Sequence, residues 1–316
     1  MSKLKTILAF HKNFGLAFTI KYINAYIYIY IYIYMLIFGN KKFLYKVQEW
    51  YIEKKFSKLI EKYKIKTNVG TEADDYKIWI CWFQGEEEMP DVVKLCYKNL
   101  CNKLNSKTIV LVTIKNLKDY IDLPDYLYYK YNKGIILPAH FSDIIRCSLL
   151  AKYGGMWIDS TIFVTENIKQ HLDIFESKFF THKINGMDDK KHYSKYRWGP
   201  FLLGTKYKNN DVMKLMYEFL KEYWKIHDMA ISYVFWDYII GILYKNNVLF
   251  QQSIDNNKEN NLQLHYFSNK LNEKVNVEEF NSIISNNYFL KLTYKEYVDF
   301  NDPNTNFAKL REIANL

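Results

Sequence analysis

A chain of 316 residues, 49% hydrophobic and 25% charged, has the size and composition of a folded protein with one large or two modest domains. Its net charge of +10 is not spread evenly: residues 1–66 hold 13 Lys and 3 Glu, and the rest of the chain balances. Four cysteines without C-x-x-C spacing and seven scattered histidines argue against a disulfide framework and a zinc or His-built metal centre, and a reducing cytoplasm is the expected compartment.

The first region, residues 1–66, joins this basic charge to a repeat. In AYIYIYIYIYMLIF, Ile and Tyr alternate from Tyr26 to Tyr34, within an uncharged run of 17 residues from Tyr22 to Phe38. A spanning helix needs about 20 apolar residues, and Tyr prefers the membrane interface to the hydrocarbon core. A free strand with two apolar faces would aggregate, and strict alternation gives no helical moment. Three placements stay open: in a membrane interface, packed on the rest of the protein, or across the bilayer. Lys12 and Lys21 on one side of the run, with Lys41, Lys42 and Lys46 on the other, point to the first, at an anionic surface. A solvated Lys-rich helix face would explain the same charge. Beyond the repeat, Phe43, Val47, Trp50, Tyr51, Phe56, Ile60 and Tyr63 recur at helical spacing with Lys on the other face, which predicts an amphipathic helix.

The second region opens at Asp74-Asp75. YKIWICWFQG reads as a buried strand ending in a loop at Gly85. Pro90 then starts a helix with Val92, Val93, Cys96, Leu100 and Leu104 on one face, and KTIVLVTI is the next strand. SDIIRCSLLAKYGG is a helix stopped by Gly154-Gly155, and MWIDSTIFVT is a strand. Alternating strands and helices predict a parallel-rich sheet in a three-layer α/β domain, residues 74–316. Its later part is helical, with DVMKLMYEFLKEYWKIH and YVFWDYIIGILYKNN separated by a loop at 256–261 from the closing segment.

Within this pattern Asp143 and Arg146 lie three apart on one face at a helix start, and a strand delivers Asp159 at its carboxyl end. Ligands of open α/β sheets bind there, and a carboxylate beside the core is costly unless solvated or bound. Alone, such an Asp is an ordinary loop cap. The full string S-D-x-x-R-x-x-x-L-x-x-Y-G-G-x-W-x-D resembles the donor-site signature of GT-A glycosyltransferases, most of all the bacterial capsular polysaccharide synthesis glycosyltransferases related to glycosyltransferase family 32. IWICWFQGEEEMPDVVKLC, the helical stretch from Phe201 to Ile240, and FLKLTYK at 289–295 are similar to that family's opening, central and closing segments.

The resemblance implies a GT-A, Rossmann-like α/β fold with an added helical N-terminal segment. It implies retaining transfer of a hexose from a nucleotide diphosphate sugar, a UDP-hexose, to an oligosaccharide or lipid-linked glycan of a capsular or other surface polysaccharide. Asp159 matches the first Asp of the D-x-D motif, which would hold Mn²⁺ or Mg²⁺ on the diphosphate. Asp143 and Arg146 match the pair contacting the donor sugar. Trp82, Gln84 and Gly85 match the segment lining the nucleotide, with Gly155 as a further donor position. Asp237 matches an acidic position of the central helix, catalytic or structural. Two departures stand out. D-x-D reads Asp159-Ser160-Thr161 here, as in many capsular members, and Leu290 stands where relatives often carry His. These leave a catalytically inactive nucleotide-sugar- or glycan-binding protein as the alternative. The expected location is the cytoplasmic face of the plasma membrane, bound peripherally to anionic lipid. No nucleic-acid partner is expected, because residues beyond 66 balance in charge and carry no such motif.

Overall fold

The computed structural model describes residues 3–35, 42–64, 68–186, 193–295 and 297–316. Its centre is a mixed five-stranded sheet. Strand β1 (Lys77–Cys81) is followed by helix α1 (Asp91–Lys103), β2 (Thr108–Val112), α2 (Pro138–Tyr153) and β3 (Gly155–Ile158). β1 lies between β2 and β3 and runs parallel to both, with Ile78 opposite Ile109 and Met156. Two strands then continue the sheet antiparallel: β5 (Phe180–Thr181) at the edge and β6 (Leu202–Thr205) against β3. The expectation of parallel strands holds for the first three.

The order β2-β1-β3 means that the first crossover runs from β1 to one side and the second returns from β2 past β1 to the other. That divergence opens a crevice at the carboxyl ends of β1 and β3. The strand expected over MWIDSTIFVT is broken in two. The Ile162 amide donates to the Asp159 carbonyl at 2.9 Å, closing a turn, and β4 (Ile162–Val164) leaves the main sheet. There it pairs antiparallel with β7 (Phe289–Lys291), placing Ile162 opposite Lys291.

Gly155 has a φ of +92°, and a Cβ there would stand 2.1 Å from the Lys77 carbonyl oxygen. Only glycine lets β3 come this close to β1.

The N-terminal helices belong to the same core. α0, as we label Lys3–Met35, bends at Gly15, whose φ of 81° lies outside the helical range. The Ile–Tyr run thus continues a helix, although its alternation has the period of a strand. A helix satisfies its backbone hydrogen bonds locally, whereas a lone strand cannot. Side chains of residues 28–43, which include most of the repeat, lie outside the described residues. The predicted amphipathic helix spans Lys42–Lys55 and Ser57–Tyr63.

Phe14 packs its ring 5.2 Å from Tyr51 and 4.7 Å from His227, and Phe56 lies 5.2 Å from Phe219. Polar bonds reinforce this contact. The Gln48 amide donates to the Ile231 carbonyl at 3.0 Å, and Tyr238 donates its hydroxyl to Gln48 at 2.6 Å. Among the described residues, 10–25 and 45–63 therefore pack on the helices Asp211–Ile226 and Phe235–Asn246. Among the described residues, no helix is long and apolar enough to cross a membrane.

Candidate active site

A cleft of about 690 Å³ opens at the carboxyl ends of β1 and β3. Trp82 and Gln84 reach it from the loop after β1, Asp143 and Arg146 from near the middle of α2, and Asp159 from the turn after β3. Asp237 enters from the helix Phe235–Asn246, and residues 291–295 form a further wall. Sequence segments separated by up to about two hundred residues thus meet in one place.

Asp159 is the best-connected group in the cleft. One carboxylate oxygen accepts from the Trp157 indole at 2.8 Å and from the Arg146 guanidinium at 3.2 Å. The other accepts from the Lys291 ammonium at 3.1 Å. Burial alone would raise its pKa. Lys291 and Arg146, with the Trp157 bond, outweigh that and hold it near 2, so Asp159 is ionised at any ordinary pH.

Arg146 is only 5% exposed, and its fork is largely occupied. It donates to the Pro200 carbonyl at 2.7 Å and pairs with Asp143 at 3.1 Å as well as with Asp159. Its guanidinium also lies over the Trp157 ring, 5.0 Å from the centroid. Arg146 therefore reads as the tie between two acids beneath the cleft rather than as a free hand for the donor sugar. Arg suits this through its planar fork.

Two further carboxyls are pushed upward. Burial raises Asp143 to about 7, with Arg146 pulling the other way and the neighbouring acids adding to the rise. Burial raises Asp237 to about 6, opposed by a bond from the Trp198 indole to its carboxylate at 2.9 Å. A carboxyl poised near neutral pH inside a cleft is suited to exchanging a proton or meeting a sugar hydroxyl.

Asp237 yields a stability test. Its folded pKa lies above the usual carboxylate range, so its contribution is fully present below pH of about 4 and is lost as pH rises through about 6. Asn keeps an acceptor for Trp198. Asp237→Asn should therefore melt higher than wild type at pH 8 by several degrees, for a difference of about 3 kcal/mol at most. The gain should vanish near pH 4. Melting curves that run parallel across that range would show that Asp237 ionises without cost.

Gly155 does not reach the cleft. It begins β3, at the opposite end from Asp159, and its role is the close approach of two strands. Gly85, with a φ of +95°, turns the chain just after the lining residue Gln84. Leu290 is fully buried in an apolar cluster with Phe163 and Phe267, so that position supplies no ligand.

The residue the sequence reading passed over is the next one, Lys291. Strand alternation was the available signal: with Leu290 in the core, its neighbour must face the other side. Trp198, which holds Asp237, gave no comparable signal.

The residues present do not fit Mn²⁺ or Mg²⁺. Such ions take oxygen ligands, waters and substrate phosphates among them, with one or two protein carboxylates whose oxygens are free to coordinate. D-S-T offers a single carboxylate, and both its oxygens accept from cations. The Thr161 hydroxyl already accepts from Lys291 at 3.0 Å. Among the described residues, no group of three or more His, Cys, Asp or Glu is arranged to hold a metal.

The family model of capsular polysaccharide synthesis proteins matches residues 30–310. The chain belongs to that family. The match spans the cleft and every element around it and takes in the packed helices Lys42–Lys55 and Ser57–Tyr63, while most of Lys3–Met35 precedes it. No curated protein matches the chain. Membership of the capsular synthesis family gives a role in capsule biosynthesis.

Proposed function

We propose that the protein is a glycosyltransferase of GT-A type, moving a hexose from a nucleotide diphosphate sugar to a growing capsular or other surface polysaccharide. The observation that carries this reading is the convergence of Asp143, Arg146, Asp159 and Asp237 with Trp82 and Gln84 in one cleft at a strand switch point. The Trp82 and Tyr294 rings, 5.5 Å apart and edge to face, offer an aromatic surface for a nucleobase.

In retaining transfer the acceptor hydroxyl attacks the anomeric carbon from the side of the leaving group. A carbon–oxygen bond forms to the acceptor, the bond to the β-phosphate oxygen breaks, and the hydroxyl proton ends on the departing diphosphate. The protein's task is positioning and charge stabilisation. In this reading Asp143 and Asp237 bind sugar hydroxyls, and Arg146 fixes Asp143 and Asp159 relative to each other.

The test is a panel of nucleotide diphosphate sugars with purified protein, reading release of the nucleoside diphosphate. We expect release from one donor above all, a UDP-hexose. Thermal stabilisation by a donor with no release, even with capsular oligosaccharide present, would favour the second reading, a catalytically inactive binding protein. Thr161 in place of an acid and the buried Leu290 are the observations that favour it.

For location we propose peripheral attachment to the anionic cytoplasmic face of the plasma membrane. Leu8, Leu16, Ile20 and Ile27 of the first helix are exposed, and Lys5, Lys12 and Lys21 lie on the same helix. Full-length protein should sediment with phosphatidylglycerol vesicles, and Leu16→Glu with Ile20→Glu should release it. Equal sedimentation of the double variant would remove this face from membrane binding.

A further inference from the structure

A donor diphosphate brings two or more negative charges into the cleft, and the residues around Asp159 do not fit a divalent ion to meet them. Among the described residues, three cations line the cleft instead: Arg146, Lys291 and Lys295. Arg146 is committed below, to Asp143, Asp159 and the Pro200 carbonyl.

Lys291 is different. Its ammonium has three N–H donors. One goes to Asp159 at 3.1 Å and one to the Thr161 hydroxyl at 3.0 Å, while Phe201 covers one flank with its ring centroid 5.0 Å from the nitrogen. The side chain remains 21% exposed, so the third donor is left for the cleft. Asp159 and Thr161 act as a bracket that fixes the ammonium in place. A cation held in advance loses little freedom when an anion arrives.

Lys295 stands four residues further along the same wall, exposed to solvent. Its backbone amide bonds to the Thr293 hydroxyl at 3.3 Å, which turns the segment around the cleft mouth. The two other acids of the cleft do little to oppose this charge in mildly acidic solution. Asp143 and Asp237 are both held toward the neutral form by burial.

We propose that the diphosphate of the donor is held by Lys291 and Lys295, and that these protein cations do the work of a divalent metal ion. The proposal rests on the donor reading above and deepens it. Asp159 is then not a metal ligand but the positioning residue for Lys291, and the absent second acid of D-S-T is no defect. An acid in place of Thr161 would instead compete with the diphosphate for the ammonium. The Lys291 charge also sits where the leaving group gains charge as the sugar departs, so it stabilises the transition state more than the bound donor.

The experiment is calorimetric titration of the full-length protein with inorganic pyrophosphate and with uridine diphosphate, each in EDTA and in excess MnCl₂. Both should bind in EDTA, with affinity changed less than about threefold by Mn²⁺ and weakened by added NaCl. Lys291→Met should weaken both at least about tenfold in EDTA, and Lys295→Met by a smaller factor. Lys295 is exposed, so its variant tests the site without risk to folding, and a melting curve checks the Lys291 variant.

Binding that appears only with Mn²⁺ would overturn the cation site and leave the donor reading standing. Binding in EDTA that both variants retain would overturn it as well, because the anion would lie elsewhere. Lysine-dependent binding of pyrophosphate, combined with no release from any nucleotide sugar, would uphold the cation site and sink the transferase reading. No binding under either condition would sink both.

Discussion

Asp159→Asn should lose transfer activity by about a hundredfold or more and should also melt below wild type. The carboxylate accepts from Trp157, Arg146 and Lys291, and an amide can satisfy only part of that set. Its NH₂ group would face a cation on one side. Removing one partner of a buried ionic cluster leaves the others uncompensated, which is costly. Asp159 is 27% exposed, so we expect a loss of about 2 kcal/mol rather than the larger values of fully buried pairs. The pH dependence has a definite sign. A depressed folded pKa means that the stabilisation is present above the ordinary carboxylate range and fades only as pH falls toward 2. The deficit of the variant should therefore be full at pH 7. A variant as stable as wild type would show that the cluster is not the one described. A variant with wild-type transfer would show that Lys291 needs no bracket.

Removing residues 1–66 should abolish soluble, cooperatively folding protein. Phe14, Phe18, Tyr51, Ile52 and Phe56 are each less than a tenth exposed and share one apolar cluster with Phe219, Tyr223 and Tyr238. Burying such a side chain contributes about 1.5–3 kcal/mol, and a whole domain has about 5–15 kcal/mol to lose. The ordering entropy of the helices offsets part of this. The polar losses do not recover, however. The Ile231 carbonyl and the Tyr238 hydroxyl would lose Gln48, and Asn247 would lose the Tyr63 carbonyl, to which its side-chain amide donates at 2.7 Å. A chain starting at Asp74 that stayed monomeric and melted in one sharp transition would refute this. Membrane tests consequently need point changes on the exposed helix face, not truncation.

The central α/β region was legible because each of its segments carries its own signal. Trp157 and Ile158 are apolar, Asp159 is not, and the change marks where the chain leaves the sheet. The helix holding Asp143 and Arg146 has a start and a glycine stop. Lys291 was hidden for the opposite reason. Its meaning depends on the pairing of two short strands, Ile162–Val164 and Phe289–Lys291, whose partners are far apart in the chain. Gly155, a donor position only through the family resemblance, answers instead to the backbone of Lys77 behind it. The Ile–Tyr repeat carries the period of a strand yet stands in a helix. Alternation predicts a strand only where a neighbouring strand exists to receive the backbone, and a continuous helix needs none.

That late pairing has a bearing on how the protein is made. Asp159 and Arg146 leave the ribosome well over a hundred residues before Lys291, and until then Ile162–Val164 has no strand beside it. A growing chain presents an unpaired apolar edge and a carboxylate short of one of its two countercharges. Residues 289–295, in docking, close the edge, balance the acid and supply the wall of the cleft. A chain that has not yet formed Phe289–Lys291 therefore lacks both the partner of that edge and the 291–295 wall of the cleft.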